Sequence, residues 1–174
     1  MNSGPKKLRV CAYARVSTDK EDQANSYESQ VKYFTEYIKA HEGWVFAGIY
    51  ADDGISGTNT KKRAEFNRML ADAEDGRIDM ILTKEVSRFA RNTVDTLSIT
   101  RNLKRLGVYV YFVNDNINTA DNDGELRLSI MATIAQDESR KTSERVKWGQ
   151  RRQMEKGVVF GRDMLGYSVK GGKL

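Results

Sequence analysis

Short apolar runs alternate with helical periods along the first two-thirds of this chain. Residues 8–14 (LRVCAYA), 44–50 (WVFAGIY), 79–83 (DMILT) and 108–113 (VYVYFV) are brief, apolar and rich in β-forming residues, which predicts buried strands. Between the first two, Asn25 and Glu28 make a capping-box-like start, and Val31, Phe34 and Ile38 then recur at helical spacing until Gly43. Residues 52–62 (DDGISGTNTKK) read as a loop with turn chemistry throughout. Phe66, Met69, Leu70 and Ala73 predict a second helix ending near Gly76, and residues 94–106 a third, closed by Gly107. Such an order predicts an α/β fold: a largely parallel sheet of four or five strands flanked by helices. At 174 residues the chain can bury one core without disulfides or structural metal.

Residues 125–156 continue the pattern differently. No proline interrupts them, and only Gly149 weakens a helix that would run roughly 45 Å or more, too long for one domain of this size to cover. Leu126, Leu128, Ile130, Met131, Ile134 and Ala135 make its first half apolar, so that half needs a partner surface, in this domain or another copy. Its second half is basic. From Arg140 to Leu174 ten Lys and Arg stand against three acids, while the rest of the chain holds nineteen basic and twenty-one acidic residues. A neutral body with a basic arm points to a polyanion, nucleic acid before membrane; a solvated tail is the alternative. No secretory signal follows Met1 and no apolar run spans a bilayer, so a cytoplasmic protein is expected.

One histidine (His41) and one cysteine (Cys11) leave little room for a triad, a zinc site or a disulfide framework. There is no phosphate-binding glycine motif for a nucleotide. The acidic run 121–124 fails as a calcium loop, because Thr119 and Ile130 would fall where carboxylates are required. Ligands of parallel sheets gather at the carboxyl ends of strands. There the first strand runs into Arg15 and Ser17, and the third into Arg88 and Arg91, with Arg63 opening the second helix. A helix or turn at 88–91 would point both arginines to one side. Guanidinium forks match phosphate oxygens; pairing with Glu85, Asp95 and Asp19 is the plainer alternative. Arginines around a serine would lower its hydroxyl pKa and stabilise a phosphoryl transition state, with no metal or nucleotide cofactor. The product, a phosphoserine ester, permits religation.

Several segments together resemble the serine recombinase family, the resolvases and invertases with the large serine integrases and transposases. They are Tyr13-Ala14-Arg15-Val16-Ser17-Thr18, Glu28-Ser29-Gln30, Asp53-Gly54-Ile55-Ser56-Gly57, Arg63-Ala64-Glu65-Phe66, Ser87-Arg88-Phe89-Ala90-Arg91, Ala135-Gln136-Asp137-Glu138 and Gly157-Val158-Val159-Phe160-Gly161-Arg162. The resemblance implies that Ser17 attacks a DNA phosphodiester to give a 5′-phosphoserine link. Arg15, Arg88 and Arg91 would clamp the phosphate with Arg63 assisting, and Tyr13, Gln30 and Ser56 would surround them. It further implies double-stranded DNA as partner, a homodimer that pairs into a homotetramer, and a long helix whose apolar half forms the interface. The basic half, with Arg140, Lys141, Arg145, Lys147, Arg151, Arg152, Lys156 and Arg162, would contact DNA across the minor groove.

Two positions depart from resolvases. Ser87 replaces the aspartate before the arginine pair, and Ser139 follows the helix glutamate where an arginine is usual. Both look like the large-recombinase branch and leave Glu138 as the candidate supporting acid, with Glu85 as a surface acid. Residues 163–174 are too few for a helix-turn-helix domain, and Met164-Leu165-Gly166-Tyr167-Ser168-Val169-Lys170-Gly171-Gly172 resembles the opening of the next domain in large serine recombinases. The organisation expected is a catalytic core over 1–124, a dimerisation and DNA-contacting helix over 125–156, and over 157–174 a linker with the start of a truncated recognition domain. Alternative functions are a non-catalytic DNA-binding or oligomerisation module on the same fold, and a metal-dependent nuclease.

Overall fold

A computed structural model describes residues 7–17, 20–54 and 63–158, with the backbone alone for 16, 17, 20–26, 53 and 54. In chain order the elements are β1 (Leu8–Ser17), α1 (Lys20–Lys39), β2 (Trp44–Gly54), α2 (Ala64–Glu74), β3 (Met80–Thr83), α3 (Val86–Phe89), α4 (Thr93–Arg105), β4 (Tyr109–Phe112), β5 (Ile117–Asn118) and α5 (Asn122–Glu155). They belong to two compact units, Met1–Ala132 and Thr133–Leu174, and α5 begins in the first and continues in the second.

The first unit holds a five-stranded sheet in the order β2-β1-β3-β4-β5, parallel except for the β4–β5 pair. This is the α/β architecture expected from the alternation. Interior strand β1, paired on both edges, is also buried on both faces. Val10, Ala12 and Ala14 point to one face, where Phe34 and Ile38 of α1 cover them. Cys11 and Tyr13 point to the other, among Phe66 and Met69 of α2, Phe89 of α3 and Leu128 of α5. Burial also pushes the Cys11 thiol pKa up, which keeps it an inert core group.

Several boundaries differ from the sequence reading. Helix α1 starts by Lys20, so Asn25 and Glu28 lie inside it and do not cap it; residues 20–24 (KEDQA) are too polar to show a period. Strand β2 runs on to Gly54, taking Asp52 and Asp53 out of the expected loop. Helix α3 ends at Phe89 and Ala90 is extended, so Arg88 and Arg91 do not share a helical face.

Gly124, in the first turn of α5, is placed by close approach. A Cβ built there would lie 1.9 Å from the Asn118 carbonyl oxygen, so only glycine lets α5 start against β5. Glu125 next to it takes hydrogen bonds from Arg101 Nε (3.0 Å) and Lys104 Nζ (3.1 Å) of α4. Those two cations hold its carboxyl below the usual carboxylate range.

Candidate active site

Parallel pairing sets Tyr13 beside Thr83 of β3 and, on its other side, beside Tyr50 of β2. Two residues on, Arg15 pairs with Asp52, and Ser17 ends the strand beside Gly54. The carboxyl ends of β1 and β3 therefore stand together, as the topology requires.

The Tyr13 ring is packed edge-on against Phe66 and Phe89, and its hydroxyl is the hub of the local polar network. It donates to Asp52 Oδ2 (3.1 Å) and accepts from Arg63 Nη2 (2.8 Å) and Nε (3.2 Å). Burial pushes its pKa up to about 12; Arg63 opposes the rise and Asp52 adds to it. The phenol is thus neutral at ordinary pH, able to donate once and accept twice.

Arg63 reaches further. Its Nη2 also donates to the carbonyl oxygen of Phe89 and, at 3.4 Å, to that of Arg88, while its guanidinium lies 4.0 Å from the Phe66 ring centroid. Its Nε and Nη2 donors are directed to the protein frame. Arg63 so links Tyr13 on β1 to the backbone at the end of α3, and Arg88 Nη1 returns to the Arg15 carbonyl at 3.4 Å.

Asp52 closes the circuit. Its carboxylate takes the backbone N–H groups of Glu65 (3.0 Å) and Phe66 (2.9 Å) besides the Tyr13 hydroxyl. Helix α2 has no side-chain cap of its own at Arg63, so a strand carboxylate supplies it. A second acid fixes α3: Asp115 Oδ2 accepts from Val86 N at 2.7 Å. Arg127 of α5 donates to the carbonyls of Asn116 (2.9 Å) and Asp115 (3.2 Å), tying down the turn that carries this acid. Glu85 is more than a surface acid: it accepts from Ser87 Oγ and Asn114 Nδ2, each at 3.2 Å, and lies 3.8 Å from Arg88 Nε.

The first unit thus brings together Tyr13, Arg15, Arg63 and Arg88. Arg91 is exposed just beyond α3, without an ion pair among the described residues. Gln30 is partly buried on α1. Ser56 and Arg162 lie outside the described residues, as does the side chain of Ser17. Glu138 is an exposed residue of the second unit. In that unit Asp137 holds Arg140 (2.6 Å) and Lys141 (2.6 Å), and Glu144 also holds Arg140 (3.0 Å). Arg151 lies 3.9 Å from Glu155, whereas Arg145, Lys147, Arg152 and Lys156 make no ion pair among the described residues.

Among the described residues no cluster of three His, Cys, Asp or Glu could hold a metal ion, and no helix is long and apolar enough to cross a membrane. The family model described as the resolvase N-terminal domain matches residues 10–159. This chain belongs to the resolvase N-terminal-domain family. The identification made from its motifs therefore holds.

Relatives of this resolvase domain agree over most of its length. It is 31% identical over 159 residues to the R46 site-specific recombinase of Escherichia coli, covering 91% of this chain and 76% of that protein. Its fold is similar to the crystal structure of a resolvase family site-specific recombinase from Streptococcus pneumoniae, with TM-score 0.68 and 28% identity, covering 86% of this chain and 99% of that one. The N-terminal catalytic domain of TP901-1 integrase is also similar, with TM-score 0.60 and 28% identity over 76% of this chain and 97% of that one.

Three acids that organise the resolvase domain's site were missed in its sequence: Asp52, Glu85 and Asp115. Asp52 falls in the segment 52–62 that reads as a loop, so the sequence predicts no partner for it. The signal available was the lack of a capping residue before Phe66, which demands an acceptor from elsewhere.

Proposed function

We propose that this domain breaks and rejoins DNA through attack of the Ser17 hydroxyl on a phosphodiester held by Arg15, Arg88 and Arg91. The observation that carries the reading is the hydrogen-bonded frame at the carboxyl ends of β1 and β3. Tyr13, Arg63 and the backbone at the end of α3 tie the strand that ends in Ser17 to the segment that bears Arg88. Family membership supports the same assignment.

In the forward step Ser17 Oγ bonds to phosphorus and the P–O3′ bond breaks. The serine gives up its proton, and the departing 3′ oxygen takes one up as a hydroxyl. The 5′ end stays on the protein as a phosphoserine ester, and attack by a 3′-hydroxyl reverses the step. The ester keeps the bond energy, so the scheme needs neither metal nor nucleotide. Arginine forks bind the phosphate and meet the charge that grows in the transition state. Arg63, with Nε and Nη2 engaged by Tyr13 and carbonyl oxygens, is a positioning residue. Gln30 and Ser56 complete the surroundings of the phosphate, and Glu138 is the supporting acid.

The basic residues of the second unit contact double-stranded DNA in this reading. Leu126, Ile130 and Met131 of α5 are exposed large apolar side chains, which supports a homodimer built on that helix and a homotetramer when two DNA sites are joined. The setting is a mobile element recombining, integrating or transposing in a bacterial cytoplasm. Incubation with nicked duplexes and a denaturing gel tests the chemistry. A covalent adduct should form in excess chelator and vanish in Ser17→Ala; an adduct that survives in Ser17→Ala contradicts the reading.

A further inference from the structure

We infer that Trp148 is a nonionic contact to duplex DNA, set in a basic stripe of the second unit. The inference rests on the DNA-binding reading above and adds to it a residue that neither charge nor motif selects.

Helical spacing puts Lys141, Arg145, Trp148, Gly149 and Arg152 on one stripe of α5, at offsets of four, seven, eight and eleven, and Lys156 follows one residue past the end of the helix. That stripe contains no acid. Of the acids nearby, Asp137, Glu144 and Glu155 are engaged with Arg140, Lys141 and Arg151, and Glu138 stands exposed three residues before Lys141, at the near end of the stripe. Arg145, Arg152 and Lys156 are left unpaired among the described residues, and their charge complements a phosphate backbone.

Within this stripe the Trp148 indole is 62% exposed. The Arg152 guanidinium carbon lies 4.9 Å from its ring centroid, in cation–π range, so charge and aromatic surface are presented together. Gly149 adds a second observation. A Cβ built there meets nothing within 4 Å, so no packing among the described residues calls for glycine, although glycine costs a helix interior about 1 kcal/mol. A bare stretch of backbone beside an exposed indole admits the close approach of another molecule. The unpaired Arg145 and Arg152 on the stripe, with Lys156 just past it, select a polyanion as that molecule, and sugar rings in a DNA groove offer the indole an apolar surface. Apolar side chains used in this way in grooves contribute without neutralising phosphates.

The test is duplex affinity of the 174-residue chain across a series of salt concentrations, for the native chain, Trp148→Ala, Trp148→Phe and Arg145→Gln. Arg145→Gln should flatten the slope of log affinity against log salt by about 0.9. Trp148→Ala should lower affinity about tenfold at every salt with its slope unchanged, and Trp148→Phe should recover most of the loss. Normal affinity of Trp148→Ala, with salt-dependent binding intact, overturns the inference and leaves the DNA-binding reading standing. If the native chain shows no salt-dependent duplex binding, both fall. A change in the DNA-free oligomeric state of Trp148→Ala and Trp148→Phe, without the affinity pattern, makes Trp148 a contact between copies and overturns the inference as well.

Discussion

The Arg63 guanidinium donates twice to the Tyr13 hydroxyl, at 2.8 and 3.2 Å, and so bridges the start of α2 to β1. The same guanidinium reaches the carbonyls of Arg88 and Phe89. One side chain therefore fixes the spacing between two segments that the proposed chemistry needs together.

Arg63→Lys keeps the charge and loses the planar fork: the Nε donor to the Tyr13 hydroxyl disappears, and one ammonium on a different stem has to replace Nη2. DNA cleavage should fall by about a hundredfold, the scale of a misplaced site, while duplex affinity stays near native. A loss of affinity as large as the loss of cleavage would instead make Arg63 a phosphate contact.

Asp52→Ala removes the acceptor for two N–H groups of α2 and for the Tyr13 hydroxyl. Urea unfolding should show a loss of about 1–3 kcal/mol. Asp52→Asn, which keeps acceptor oxygen but not charge, should lose less. Equal stability of Asp52→Ala and the native chain would contradict the capping role.

Gly124→Ala reverses the usual helix rule. Alanine is favoured over glycine in helices by about 1 kcal/mol, yet the added methyl meets the Asn118 carbonyl. The variant should be destabilised by about 1–3 kcal/mol in thermal or urea melts, as overpacked sites are. A stabilised Gly124→Ala would mean that α5 starts elsewhere.

Much of the fold was legible because β1 and β3 are buried on both faces, and such strands read as continuous apolar runs. Strand β5 was not, since Ile117–Asn118 is too short to carry a period. The start of α1 was hidden for a related reason, its first residues being polar throughout. At the site, Arg15 and Arg88 could be placed together from strand order, with Arg63 at the start of the next helix, whereas Tyr13 entered only through the family resemblance. Asp52 and Asp115 could not, because each caps a helix that lies 13 or more residues away in sequence, and local motifs carry no trace of such a bond.

Tyr13 also gives a pH signature. Its hydroxyl pKa is pushed up from 10.0 to about 12, chiefly by burial. A raised folded-state pKa contributes stability that is fully present below pH 10 and lost as pH rises through 12. Melting temperature should therefore fall over that window, and by less in Tyr13→Phe. Difference absorbance of the two proteins should show a tyrosinate forming above the ordinary tyrosine range; a difference that titrates at pH 10 would contradict the buried, hydrogen-bonded phenol.

The most direct test of serine chemistry is to map the residue that carries DNA. Adducts trapped on nicked duplexes can be digested with protease and nuclease and sequenced by mass spectrometry. The account predicts a nucleotide joined through its 5′-phosphate to Ser17, on a peptide from the end of β1. A link through a 3′-phosphate, or one to Tyr13, Ser87 or any other residue, would contradict it.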